Sequence, residues 1–228
     1  MSISALIPAY NEEETIYVTV TSLKAIKEIE EIIVIDDAST DRTSEVAFSA
    51  GAQVVRHQHN SGKGEAVWTG LKYASGEILI FADADLGESA KEFEKLIIPV
   101  RKGEADMVVA KFPPGKVKGG LGFAKSLAFW GIWFYTGFKS QSPLSGQRVF
   151  LRKIVDNASH VPRGFGLEVF LTVSCLQQGH RLLELPVEMH HRETGRDLAS
   201  FKHRAKQFYH IACELWRLNK SRKEKRKC

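Results

Sequence analysis

Along this chain apolar residues come first in short unbroken runs and then in longer stretches where they recur every three or four positions. Ser4–Ile7, Ile32–Ile35, Gln53–Val55 and Ile78–Ala82 are runs of the first kind; Glu13–Lys27, Arg42–Ala50 and Glu65–Ala74 have helical spacing. Runs without period-two alternation are the signature of strands buried on both faces. The order βαβαβαβ therefore predicts an α/β fold with a mostly parallel sheet covered by helices on each side.

Boundary residues support these assignments. Asn11 with Glu14 three positions later is a capping-box pattern, Asp41 precedes the helix that starts at Arg42, and Gly51, Gly76 and Gly103 mark helix ends. A helix is predicted over Ser89–Arg101. After Ala110 the alternation loosens into a Pro/Gly/Lys loop, Phe112–Gly120, an apolar segment, Leu121–Phe138, and a second loop, Lys139–Ser145, which are expected to cover a site. A strand at Gln147–Leu151, a helix at Gly166–Gln178, a strand at Leu182–Glu188 and a long helix from Leu198 to about Leu218 complete the reading.

Composition narrows the class. With 228 residues, 43% of them hydrophobic, the chain can bury a core and reads as one domain over 1–218, with halves at 1–110 and 111–218 and a basic tail at 219–228. Net charge is +5, much of it in RLNKSRKEKRKC from Arg217 to Cys228. No basic face interleaved with aromatics occurs elsewhere, so no nucleic-acid partner is expected. Cys175, Cys213 and Cys228 are odd in number and widely spaced, which suggests neither a disulfide framework nor a zinc site. MSISALIPAYNEEE lacks the features of a signal peptide, so a cytoplasmic location is expected. Leu121–Phe138 is almost long enough to span a bilayer, but Lys125, Gly131, Tyr135 and Thr136 favour a helix at an interface, either a membrane surface or the core.

In doubly wound sheets ligands bind beyond the carboxyl ends of the strands. Those positions are Pro8–Glu12, Asp36–Ser39, His57–Lys63 and Asp83–Glu88, and none carries GxGxxG or the P-loop pattern. Asp83 and Asp85, one residue apart at a strand end, can turn back towards one point. Two carboxylates there suit a hard divalent cation, Mg²⁺ or Mn²⁺, that keeps positions open for phosphate oxygens. The same Asp-Ala-Asp could also simply cap the next helix.

Taken together, Ile7-Pro-Ala-Tyr-Asn-Glu12, Ile35-Asp-Asp-Ala-Ser-Thr-Asp41, Asn60-Ser-Gly-Lys-Gly64 and Ala82-Asp-Ala-Asp-Leu86 resemble the family 2 glycosyltransferases with the GT-A fold, a Rossmann-like three-layer α/β/α sandwich. Within that family the chain is most similar to polyprenyl-phosphate sugar transferases of the dolichyl-phosphate mannose synthase type. The resemblance implies that Pro8, Ala9, Tyr10, Asn11 and Glu12 hold the base and ribose of a nucleotide sugar and that Asp37 binds the base. It also implies that Asp83 and Ala84 contact the ribose or sugar, that Asp85 binds the metal, with Asp83 and His190 as further ligands, and that Lys63 faces phosphate. Leu144-Ser-Gly-Gln-Arg-Val-Phe150 is similar to the family's SGFR-type motif, with Gln147 in place of the aromatic and Arg148 retained, which implies that Arg148 contacts the nucleotide sugar, and Arg192 matches an arginine that grips the diphosphate.

The implied reaction is metal-dependent transfer of a sugar from a nucleoside-diphosphate sugar, with Asp85 and Arg192 serving the leaving group. A polyprenyl phosphate or other lipid at the cytoplasmic membrane face is the expected acceptor; such a phosphate needs no base. A hydroxyl acceptor would need one, and Glu168 is the candidate, with an ordinary first-turn helix carboxylate as its plain reading. Gly-Phe-Gly-Leu-Glu168 followed by His190 also resembles the glucosyl-phosphoglycerate synthases, whose acceptor is soluble. Two rivals remain: a sugar-phosphate nucleotidyltransferase, disfavoured because IPAYNEEE is acidic, and a nucleotide-sugar-binding module without turnover.

Overall fold

The computed structural model describes residues 1–112, 122–156, 162, 164–189 and 198–225. Seven strands, β1 (Ile3–Ala9), β2 (Glu31–Asp36), β3 (Gln53–Arg56), β4 (Ile78–Phe81), β5 (Met107–Lys111), β6 (Arg148–Leu151) and β7 (Leu182–Pro186), form one sheet in the order β3-β2-β1-β4-β6-β5-β7. All pairings are parallel except those of β6, which runs antiparallel between β4 and β5. The α/β/α expectation is met.

The unbroken apolar runs have a direct cause in this sheet. Ala5 and Ile7 of β1, Ile32 and Val34 of β2, and Ile78 and Ile80 of β4 join one hydrophobic cluster, while Leu6, Ile33, Ile35, Leu79 and Phe81 join the cluster on the opposite face. Successive side chains point to opposite faces, so a strand covered on both needs an apolar residue at every position. Helices α1 (Ile16–Lys24), α2 (Thr43–Ser49) and α4 (Phe93–Arg101) cover the first face; α3 (Lys63–Leu71), α6 (Lys153–Asp156) and α7 (Gly166–Gln177) cover the second. Outside α7 lie α5 (Phe123–Thr136) and α8 (Leu198–Lys225), joined to it through Ala128, Ile132, Val169, Val173 and Ile211.

Several boundaries depart from the sequence reading. Asn11 does not cap a helix: α1 starts at Ile16, and Asn11 has φ 55° with its side-chain oxygen accepting from Thr40 N at 2.8 Å. That bond ties the loop after β1 to the loop after β2, a tertiary use that a local capping pattern does not reveal. The helix expected from Ser89 begins as a 3-10 segment, Gly87–Glu92, and becomes α-helical only at Phe93. Strand β5 is absent from the sequence reading although Met-Val-Val-Ala is an apolar run like the others. The C-terminal helix runs past Leu218 to Lys225.

The apolar segment forms a helix of 14 residues, and no helix among the described residues is long and apolar enough to cross a membrane. Gly131 lets α8 approach closely, since a Cβ there would meet Leu215 Cδ2 at 2.4 Å. The opposite side of α5 turns Phe123, Trp130, Trp133 and Phe134 outward.

Cys175 is fully buried under the sheet, and burial pushes its thiol from an ordinary 9.0 up to about 12. Above pH 9 the unfolded chain ionises this thiol while the folded chain does not. Its contribution to stability is therefore lost as pH rises from 9 towards 12, by about 1.4 kcal/mol per unit. Urea titrations of wild type and Cys175→Ala between pH 8 and 11 should show the wild type losing more; parallel losses would contradict this assignment.

Candidate active site

At the carboxyl ends of β1 and β4 a cleft of about 1280 Å³ opens between the two halves of the chain. Pro8 at the end of β1 and Tyr10 and Glu12 after it enter the cleft; Asn60, Ser61 and Gly62 enter ahead of α3 and Lys63 from its first position; Asp83, Ala84 and Asp85 follow β4. The opposite wall carries Ser142–Gln147, Phe165 and Glu168, with Lys111, Lys125, Lys206 and His210 around it.

The end of the cleft beside β1 and β2 is built by loops that hold one another. Asn11 N donates to Ser39 Oγ at 2.9 Å, Glu12 N to Thr43 Oγ1 at 2.8 Å, and Ser39 N to Asp36 Oδ1 at 2.8 Å. Asp41 accepts from Glu13 N and from Thr43, which helps hold its carboxyl below the usual range against the opposing effect of burial. Asp37 is buried and its carboxylate is engaged: Ser61 N and His57 Nδ1 reach Oδ1 at 2.8 Å and Gly62 N reaches Oδ2 at 2.7 Å. It therefore supports the Asn60–Gly62 loop from behind, and it is not among the residues lining the cleft. A carboxylate that accepts from backbone N–H groups fixes a loop as a helix cap does.

Asp83 and Asp85 are both half-buried on the cleft side of the turn after β4, with Ala84 between them. Thr19 of α1 fixes that turn by donating to Ala84 O at 2.8 Å while accepting from Gly87 N at 2.9 Å. The Asp83 carboxylate receives Lys63 Nζ at 2.7 Å on Oδ1 and the Gln147 side-chain amide on Oδ2, and Gln147 Oε1 accepts from Asp83 N at 2.9 Å. Gln147, the departure from the SGFR-type motif, is thus a two-point brace for Asp83.

Lys63 joins the two halves. Its ammonium is 2.7 Å from Asp83 and 3.4 Å from Glu168 of α7, whose side chain is 2% exposed. Burial alone would push this ammonium down, but Asp83 and Glu168 push it well above the ordinary lysine value. Sequence reasoning pointed Lys63 at phosphate and missed this bridge, because residues 63, 83 and 168 meet only in the fold. Two glycines make the approach possible. A Cβ at Gly64 would lie 2.2 Å from Pro162 O, and one at Gly146 would lie 2.5 Å from Lys63 Nζ. Gly146→Ala should therefore displace Lys63 and weaken nucleotide-sugar binding by about tenfold, read by calorimetric titration; unchanged affinity would mean that the loop yields without moving Lys63.

Glu168 Oε2 has no hydrogen-bond partner among the described residues, although the side chain is buried and lines the cleft. Arg148 is also buried, on the sheet face under α7, and does not line the cleft; its guanidinium bonds Ser145 O and Thr172 Oγ1. Its motif implies contact with the nucleotide sugar, and the structure places it behind the wall instead. Ala9 is buried in β1. His190 and Arg192 lie outside the described residues. Among the described residues no group of three metal-binding side chains forms; Asp83 and Asp85 both line the cleft, Asp83 with Lys63 and Gln147 on its carboxylate. Hard carboxylate oxygens beside an open cleft fit a divalent cation.

A sequence profile described as Glycosyl transferase family 2 matches residues 4–158. The chain is 28% identical over 200 residues to the glycosyltransferase AglJ of Haloferax volcanii, a match covering 86% of this chain and 65% of that protein. It is 36% identical over 121 residues to the glucosyl-3-phosphoglycerate synthase of Mycobacterium tuberculosis, covering 49% of this chain and 37% of the relative. The structure of that synthase with Mn²⁺, uridine-diphosphate-glucose and phosphoglyceric acid is similar at 27% identity and a TM-score of 0.77, covering 94% of this chain and 78% of that one.

Proposed function

The chain belongs to glycosyl transferase family 2, and from that premise we propose that it moves a sugar from a uridine-diphosphate sugar to the hydroxyl of a small anionic acceptor. Residues 1–110 hold the donor and 111–218 the acceptor. Buried Glu168, with one carboxylate oxygen unpartnered and the cleft before it, is the observation that carries this reading.

The donor's base and ribose rest against Pro8, Tyr10 and Glu12 on the loop that Asn11 and Asp37 stabilise from behind. Asp83, held by Lys63 and Gln147, presents its carboxylate to the sugar. Asp85 holds the divalent cation, which supplies neutralisation of the charge on the departing diphosphate. Glu168 takes the proton of the acceptor hydroxyl, a task a lipid phosphate would not require. Lys111, Lys125 and Lys206 on the opposite wall attract the acceptor's negative group. The relative solved with phosphoglyceric acid and a uridine-diphosphate sugar supports the same pairing of donor and acceptor classes.

The test is a transfer assay with UDP-glucose or GDP-mannose and Mn²⁺, offering 3-phosphoglycerate or a polyprenyl phosphate in detergent. Transfer to the soluble acid that Glu168→Gln reduces by about 10²-fold or more is expected. Transfer to the polyprenyl phosphate alone, indifferent to Glu168→Gln, would overturn this reading.

That outcome defines a second reading, favoured by the outer faces of α5 and α8. Trp130 is 58% and Phe134 64% exposed on α5, and Tyr209 and Trp216 are exposed on α8, whose sequence continues into the basic run after Arg217. Aromatic side chains beside lysines and arginines suit an anionic bilayer surface and hence a lipid acceptor. Co-sedimentation with phosphatidylglycerol vesicles, lost in Trp130→Ser/Phe134→Ser, would support it; no sedimentation of the wild type would remove it.

A further inference from the structure

We propose that Arg148 is the positioning residue for Glu168, a buried countercharge that also locks the cleft wall to the helical turn carrying that carboxylate. The countercharge is independent of the transferase reading; only its use in turnover rests on it.

Arg148 lies on β6, paired with Phe81 of β4 on one side and Val109 of β5 on the other, so it occupies the middle of the sheet. Its side chain shares a face with Phe150, the face that α7 covers, where every strand neighbour is apolar. At 1% exposure this is the largest fully buried side chain among the described residues. Taking a guanidinium out of water costs several kcal/mol unless charge and hydrogen bonds compensate, and a well-packed leucine or methionine would cost nothing of the kind. The group therefore has a task that an apolar residue could not perform.

Its hydrogen bonds indicate the task. Nε donates to Ser145 O at 2.9 Å, on the loop that forms the cleft wall and continues into Gly146 and Gln147. Nη1 donates to Thr172 Oγ1 at 2.8 Å, and Thr172 Oγ1 donates to Glu168 O at 2.9 Å, one helical turn back. One side chain thus spans from the brace of Asp83 to the backbone of Glu168. Nη2 has no hydrogen-bond partner among the described residues, and neither has Glu168 Oε2.

Other titratable groups among the described residues also lie near the start of α7. Lys63 reaches it from α3 and is shared with Asp83; His210 and Glu214 of α8 pack against Gly166 at the start of α7. Burial pushes the Arg148 guanidinium down to about 10, opposed first by Glu168 and then by Cys175 and Glu184, so the cation persists at neutral pH. Lys63 reaches the Glu168 carboxylate at 3.4 Å, and Arg148 reaches the same helical turn through Thr172.

A double-mutant cycle on the ligand-free protein tests the pairing without reference to activity. Arg148→Met should lower Tm by several degrees, and Glu168→Gln should lower Tm less in the Arg148→Met background than in wild type, because the buried carboxylate has already lost its countercharge. Additive shifts would overturn the proposal. If Arg148→Met does not fold, Arg148→Gln serves in the same cycle. In the transfer assay Arg148→Met should reduce kcat by about tenfold or more with KM for the donor nearly unchanged, and Arg148→Lys, which keeps the cation, should recover most of it. A purely structural arginine would instead give lower Tm with kcat per folded molecule intact. Coupling in the cycle with no transfer from any nucleotide sugar would uphold the countercharge and sink the transferase reading alone.

Discussion

Asp85→Ala is expected to abolish cation-dependent binding of UDP and to lower sugar transfer on the order of 10³-fold, the scale seen when a group that stabilises developing negative charge is removed. Asp85 sits in the cleft on a turn fixed by Thr19, and Asp83 beside it is already held by Lys63 and Gln147. Asp85 is the carboxylate that the family resemblance assigns to the metal, and it lines the cleft beside the braced Asp83. Thermal unfolding with UDP should show a shift for the wild type that requires Mn²⁺ and is absent in the variant. Because the turn that carries Asp85 is fixed by Thr19, Tm without ligand should fall far less than for a core substitution. A variant that keeps the Mn²⁺-dependent shift would remove Asp85 from the metal site and restore the capping role for Asp-Ala-Asp.

Lys63→Met is expected to be the most destabilising substitution in the cleft, by about 3 kcal/mol, the low end for breaking a buried pair, since the lysine side chain keeps 27% exposure. It leaves Glu168 buried without its 3.4 Å partner and removes the cation that Asp83 faces. The sign of the pH dependence follows from the raised lysine value. A cation whose pKa rises on folding stabilises fully below its unfolded value and loses that contribution as pH climbs through the folded one. The gap between wild type and Lys63→Met in urea should thus be constant through neutral pH and close only in alkali beyond the ordinary lysine range. A gap that closes near neutrality, or a variant as stable as wild type, would show that the bridge contributes nothing. Turnover should fall as well, because both carboxylates lose their orientation.

Much of residues 1–110 was legible without coordinates. The apolar runs predicted β1 to β4, and the four strand-end motifs identified the loops that now line the cleft: Pro8, Tyr10, Glu12, Lys63, Asp83 and Asp85 are all there. The reading failed where a residue's partner is distant in sequence. Asn11 resembled a helix cap and instead bonds Thr40, 29 positions on. That Asp37 holds Ser61 and Gly62, 24 and 25 positions on, was likewise not legible. Arg148 carried a motif's expected role, and nothing local to it announced that its side chain lies under α7.

Strand and helix periods are local, because they follow from side-chain direction along a single element, and so the class of fold and the ends of its strands were determined by the amino-acid order alone. The family resemblance rested on the same short segments. Only the tertiary structure decided that Lys63 serves two carboxylates, that Gln147 braces Asp83 and that Arg148 reaches the turn of Glu168 through Thr172. Each of those depends on which elements pack together, and a charge 20 or 105 positions away in sequence is felt only once folding brings it within a few ångströms and removes the water between.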